Sequence, residues 1–133
     1  LDPEDAVMAK KVGCDAIVVS NHGGRQQDGA ISSILALEPI LQAVGGDLEV
    51  HLDSGIRSGQ DVLKALAMGA SGTYIGRAFV YGLGAQGEAG VTKALEVICN
   101  ELDISMAFTG KRAIKDVDRS SVLVAAGFSG DWV

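Results

Sequence analysis

Apolar and polar positions fall in repeated blocks along the chain: a short apolar run, a glycine-rich polar turn, then a stretch with helical spacing. The opening LDPEDAVMAKKVG predicts a helix. Asp2 can cap it, Pro3 suits the first helical position, Glu4 and Asp5 favour the N-terminal dipole, and Gly13 ends it. A strand follows at Ala16 to Val19. In SSILALEPILQAVGG, Pro39 suits a first turn and Gly45 with Gly46 a stop, which predicts a helix from near Glu38. The second strand is Glu49 to Asp53. Ser58, with Asp61 at the capping-box distance and Gly69 at the close, brackets a third helix. The third strand is Gly72 to Ile75. A long helix runs from about Glu88 to Phe108, and its stripe of Val91, Leu95, Ile98, Leu102 and Met106 reads as core packing. The remaining TGKRAIKDVDRSSVLVAAGFSGDWV has no clear period, and its end is expected to be a loosely held tail.

Runs such as AIVV and TYI are apolar throughout, which fits strands buried on both faces, and a helix between consecutive strands makes them parallel. The fold class is therefore α/β. With 133 residues, 47% of them hydrophobic, and 18 glycines, the chain suits a globular domain, or part of one, with one modest core. A net charge of −6 and the absence of any basic run argue against a nucleic-acid partner. Cys14 and Cys99 are isolated and lack metal-type spacing, so they read as buried, reduced thiols, and a cytoplasmic setting is expected. No apolar run has membrane-spanning length, and LDPED does not suit the basic start of a signal peptide.

The candidate chemistry sits after the strands. The first strand leads into SNHGGRQQDG, with Ser20, Asn21, His22 and Arg25; the second into Asp53, Ser54 and Arg57; the third into Gly76 and Arg77. In parallel α/β folds ligands bind at the carboxyl ends of strands. Three arginines on one face of an acidic protein suit an anion held by forked guanidinium groups. Glycines at 55, 59 and 76 let backbone N–H groups approach it at helix starts. Ordinary glycine turns with solvated arginines would explain one such loop; three in register favour a functional face. His22, beside Gly23 and Gly24 with Arg25 nearby, has room for a substrate. A base beside a fixed cation suits proton removal from an anion. His51 lies inside a strand and reads as a packing or hydrogen-bonding residue. Asp28 could orient His22 or Arg25, but stabilising the turn with Gly29 is preferred.

The segments IVVSNHGGRQQDG, DSGIRSGQDVLKALAMGA and YIGRAFVYGLGAQGEAGV closely resemble the C-terminal half of the FMN-dependent L-2-hydroxy acid oxidases and dehydrogenases, which include glycolate oxidase, L-lactate dehydrogenase and mandelate dehydrogenase. The resemblance covers about residues 1–122 and implies part of a (β/α)8 TIM barrel, with the three strands as strands six to eight and residues 123–133 as a tail. It makes His22 the catalytic base and Arg25 the ligand of the substrate carboxylate. Ser20 would lie near the flavin ring, and Asp53, Ser54, Gly55, Ile56 and Arg57 would contact the FMN ribityl and phosphate. Gly76 and Arg77 would complete the phosphate site. The implied reaction passes the C2 hydrogen and electrons of a 2-hydroxy acid to the flavin, as hydride or through a carbanion, giving a 2-oxo acid. An acceptor then reoxidises the flavin.

Gln27 departs from the family's usual leucine. The family lysine near flavin N1 would fall just before Leu1, and strands one to five would lie upstream of it. Two expectations follow. In the first, these residues work together with the missing N-terminal half of the barrel, and the chain alone is inactive or weak. The full-length protein could then associate peripherally with a membrane. In the second, the chain is a non-catalytic, self-associating half-barrel that keeps at most an anion or FMN phosphate site. Type 2 isopentenyl diphosphate isomerases share the phosphate loops but explain His22 and Arg25 less well.

Overall fold

The structure is a computed structural model that describes residues 1–125 and 128. Helix α1 (Pro3–Lys11) leads to β1 (Ala16–Val19), α2 (Ser33–Val44), β2 (Glu49–Leu52), α3 (Gly59–Ala67), β3 (Gly72–Thr73) and α4 (Arg77–Phe108). The strands form one parallel sheet in the order β1-β2-β3, with Val19 opposite Leu52 and Leu52 opposite Thr73. Beyond the paired residues, Asp53 N–H donates to the Val19 carbonyl at 2.9 Å and Tyr74 N–H to the Leu52 carbonyl at 2.9 Å. Those two bonds carry the sheet's order into the loops.

The helices cover one face of the sheet. Val19, Val50 and Leu52 are buried there against Ala36, Leu37, Ile40 and Val44 of α2, with Ile56 and Ala65 alongside. The opposite face is open, with Val18 50% and Tyr74 51% exposed. Burial on both faces, expected from the unbroken apolar runs, is thus met on one face only, because the crossovers all lie on the same side. On the open face His51 bonds Glu49 at 3.2 Å and packs its ring on Tyr74, in keeping with a packing and hydrogen-bonding role.

Several expectations need correction. Helix α2 begins at Ser33, not near Glu38, and Pro39 lies inside it. The helix sacrifices the one bond that Pro39 cannot donate, since its buried face outweighs that loss. Helix α4 starts at Arg77 and breaks at Gln86 and Gly87, so the predicted helix from Glu88 is its second limb. On that limb Ile98 and Met106 are buried, but Leu95 is 47% exposed. Cys14 and Cys99 are both exposed. Cys99 stands one position past the buried Ile98, which turns it away from the core. The tail expected over 123–133 lies mostly outside the described residues. No described helix is long and apolar enough to cross a membrane.

After α4 the chain is pinned by Arg119, paired with Glu38 of α2 at 2.8 Å, and by Lys111, paired with Asp118 at 3.0 Å. The Ser120 hydroxyl donates to the Asp118 carboxyl, and with the Lys111 ammonium it lowers the Asp118 pKa from 3.8 to about 2. A depressed folded-state value means that the contribution of this carboxylate is present above 3.8 and is lost as pH falls through about 2. The Asp118 carboxyl carbon is expected to titrate by NMR with a midpoint near 2, moving up in Lys111→Ala. An unchanged midpoint in the variant would remove Lys111 as a cause.

Candidate functional site

Each loop leaving the carboxyl end of the sheet departs from ordinary backbone geometry. After β1, Asn21 precedes a tight 3-10 turn over His22–Gly24, in which its side chain accepts the Gly24 N–H at 3.2 Å. The same side chain donates to the Ile31 carbonyl at 3.2 Å, closing the loop at both ends. The only non-glycine residues with positive φ among those described are His22 (φ 54) and Ser54 (φ 79). Both lie in these loops. Histidine tolerates the left-handed region better than most residues, whereas a serine held there is less usual. Such conformations cluster at functional sites because surrounding contacts must pay for them.

The contacts are visible. Ser20 Oγ donates to Asp53 Oδ2 at 2.5 Å and accepts the His22 N–H at 3.1 Å. Ser54 Oγ donates to the same carboxylate oxygen at 3.2 Å and accepts the N–H groups of Asn21 at 3.3 Å and Gly23 at 3.1 Å. The buried Ser33, at the start of α2, donates to the Ser54 carbonyl at 3.2 Å. Asp53 thus anchors two hydroxyls that hold the histidine loop. Pairing of β1 with β2 makes this possible, since Ser20 and Asp53 follow the partners Val19 and Leu52.

The third loop joins through Arg77, whose guanidinium donates to the Gly23 carbonyl at 3.2 Å. Arg77 opens α4 after Gly76, and no side chain caps that helix end. Its first N–H groups therefore remain free for an anion. A Cβ on Gly55 or Gly76 would meet nothing within 4 Å, so both face open space. Arg25 and Arg57 are exposed, and no described side chain partners either guanidinium. Arg57 is set by its backbone, whose N–H donates to Asp61 Oδ2 at 3.1 Å, and by the capping box of Ser58 and Asp61. The neighbouring Ile56 is buried, so its side chain serves the core.

The sequence-derived residues are brought together unevenly. Ser20, His22, Asp53, Ser54 and Arg77 form one connected network; Arg25 joins it only through its backbone N–H, which donates to the His22 carbonyl at 3.4 Å, and no described contact joins Arg57 to it. No described side-chain bond links Asp28 to His22 or Arg25. Two members were not foreseen as supports: Asn21, which closes the loop, and Ser33, which holds Ser54. Their partners lie 10 and 21 positions away, beyond the reach of local pattern. A cavity of about 760 Å³ between α3 and the end of α4 touches Ser54, Gly55 and Ile56, but none of His22, Arg25 or Arg77 lines it. The polar cluster therefore meets that cavity only at Ser54, and His22 and Arg77 lie outside its lining.

Comparisons with known proteins extend this picture. A family described as FMN-dependent dehydrogenase matches residues 1–124. An L-lactate dehydrogenase of Stenotrophomonas maltophilia (strain R551-3) is 54% identical over 123 residues, which is 92% of this chain and 32% of that protein. An L-lactate dehydrogenase of Haemophilus influenzae is 53% identical over 117 residues, 88% of this chain and 31% of its own length. Among solved structures, mandelate oxidase with 3,3-difluoro-2-hydroxy-3-phenylpropionic acid shares 46% identity at a TM-score of 0.86, over 90% of this chain and 36% of that one. A mandelate oxidase variant carrying a monooxide FMN adduct gives a TM-score of 0.85 at 46% identity, over 88% of this chain and 37% of that chain. The chain thus spans about a third of the length of the curated relatives it matches.

Proposed function

The chain belongs to the FMN-dependent dehydrogenase family, and from that premise we propose that its strand-end loops bind FMN phosphate and act on an L-2-hydroxy acid of the lactate or glycolate type, giving the 2-oxo acid. The observation that carries this reading is the bond from Arg77 to the Gly23 carbonyl at 3.2 Å. It joins the anion-binding start of α4 to the loop that bears His22, so that base and phosphate ligands belong to one site. Barrel strands six to eight are the proposed equivalents of β1 to β3. In that reading the open sheet face is barrel interior, completed by the remaining two thirds of a polypeptide of the relatives' length. The alternative is a non-catalytic half-barrel that covers the same face by self-association.

The residues present fit a flavin phosphate. The uncapped helix start at Gly76, the Arg77 guanidinium, the unpartnered Arg57 and the open glycines make a donor set for a dianion. Asp53, Ser54, Gly55 and Ile56 would flank the ribityl chain, and Ser20 the ring. When bound, FMN supplies the redox chemistry by accepting two electrons and a hydrogen from the substrate. Arg25 holds the substrate carboxylate through its free guanidinium. His22 takes the proton given up as the alcohol becomes a carbonyl, from a loop whose amides are tied to Ser20 and Ser54.

Titrating the purified chain with FMN, followed by absorbance and flavin fluorescence, tests the reading. Arg77→Met is expected to weaken binding roughly 10- to 100-fold, the scale of one lost charge-assisted contact. Anaerobic addition of L-lactate or glycolate should then bleach the bound flavin slowly at most in the chain alone, and fully in a polypeptide of the relatives' length. Protein that takes up no FMN, or an Arg77→Met variant that binds as tightly as the parent, would overturn it.

A further inference from the structure

Resting on that reading of the site, we propose that Ser54 is the positioning residue of the histidine loop, acting through its hydroxyl and not through its backbone alone. Its backbone is in the left-handed region at φ 79, followed by Gly55 at φ 83. Glycine would adopt this conformation with less strain. The Ser54 carbonyl is already held by the buried Ser33, so the hydroxyl is not needed to fix Ser54 itself. What the side chain adds lies elsewhere.

A serine hydroxyl has one proton to donate and two lone pairs to accept with. At Ser54 all three are used: the proton goes to Asp53 Oδ2, and the lone pairs take the N–H groups of Asn21 and Gly23. These amides flank His22, whose own N–H goes to Ser20 Oγ. Asn21, His22 and Gly23 are therefore held in succession by two hydroxyls, both turned by one carboxylate. This orientation matters because Asp53, as acceptor of both protons, leaves the lone pairs of the serines facing the loop. Without the Ser54 hydroxyl, Asn21 and Gly23 lose their fixed acceptor, and the peptide groups of His22, at φ 54, keep only the Ser20 hydroxyl and the Arg25 N–H as partners. The ring it carries is then free to leave the geometry that proton transfer needs.

Amide hydrogen exchange, followed by NMR on the 133-residue chain, tests this directly. In Ser54→Gly the Asn21 and Gly23 amides are expected to exchange about tenfold faster, the scale of one lost hydrogen bond, while the Val50 and Leu52 amides are unchanged or slower. Ser54→Ala, which retains the strained backbone, should show the same loss at Asn21 and Gly23. Agreement between the two variants assigns the effect to the hydroxyl. In a flavin-loaded polypeptide of the relatives' length, Ser54→Gly should also lower kcat for L-lactate about 100-fold with KM little changed, as expected of a misplaced reacting group. The proposal is overturned if Asn21 and Gly23 exchange freely in the parent, or if Ser54→Gly leaves their exchange or kcat unaltered. An FMN titration run alongside separates the two ideas: no FMN uptake by the parent defeats the flavin reading, while the exchange data still decide the role of Ser54.

Discussion

Replacing His22 with Asn is expected to slow oxidation of a 2-hydroxy acid about 100- to 10,000-fold, the range spanned by loss of a positioned general base. Asn is the informative substitution because of the backbone. His22 sits at φ 54, and Asn tolerates the left-handed region, so the 3-10 turn should persist. The amide side chain can still hydrogen-bond but cannot take up a proton. FMN uptake should be nearly unchanged, because the phosphate ligands proposed at Gly76, Arg77 and Arg57 lie on the other two loops. Rapid mixing of a flavin-loaded polypeptide of the relatives' length with L-lactate, with flavin bleaching as the signal, gives the reductive rate directly. Partial recovery with added imidazole would identify the missing proton acceptor. A His22→Asn variant that reduces flavin within about threefold of the parent rate removes His22 as the base.

How far this site could be read from the sequence depended on the range of the contacts involved. The strands were legible because AIVV is a short apolar run and EVHL alternates between turn residues, although β2 ends at Leu52 and β3 at Thr73, short of the expected Asp53 and Ile75, and the Ser58 and Asp61 capping box is observed as spaced. Clustering of polar residues after each strand was legible for the same reason. Where local rules compete with packing, pattern failed. Pro39 reads as a helix start, yet α2 runs through it with Leu37, Ile40 and Val44 buried. The expected helix begins only near Glu88, after the glycine-rich GLGAQG, yet α4 is helical from Arg77 on both sides of a break at Gln86 and Gly87. Gly82 and Gly90 explain this, since a Cβ on Gly90 would lie 1.9 Å from the Gly82 carbonyl oxygen. Those glycines allow two limbs of α4 to touch. The contacts of Ser54 with Asn21 and Gly23 span 33 and 31 positions, so only strand register brings them together.

A second large effect is expected from Gly59→Ala, at the point where α3 meets α4. A Cβ there would stand 2.0 Å from the Leu102 nitrogen, 2.5 Å from the Glu101 carbonyl carbon and 2.5 Å from the Ile98 oxygen. All three are backbone atoms, which cannot rotate away as a side chain would. The Gly59 N–H also donates to Glu101 Oε2 at 2.9 Å, a bond that requires the same close approach. Two effects oppose each other. Alanine favours the helix by up to about 1 kcal/mol over glycine. Overpacking a rigid contact costs about 3 kcal/mol or more, so the clash wins. The melting temperature followed by circular dichroism should fall by roughly 10 °C. Because α3 directly follows the loop of Asp53 to Arg57, forcing the helices apart also displaces the Ser58 and Asp61 box that sets the Arg57 backbone. FMN affinity should therefore fall with stability, even though Gly59 faces the helix contact and not the ligand. A variant that melts within roughly 2 °C of the parent would mean that the α3 and α4 backbones are not in contact as described.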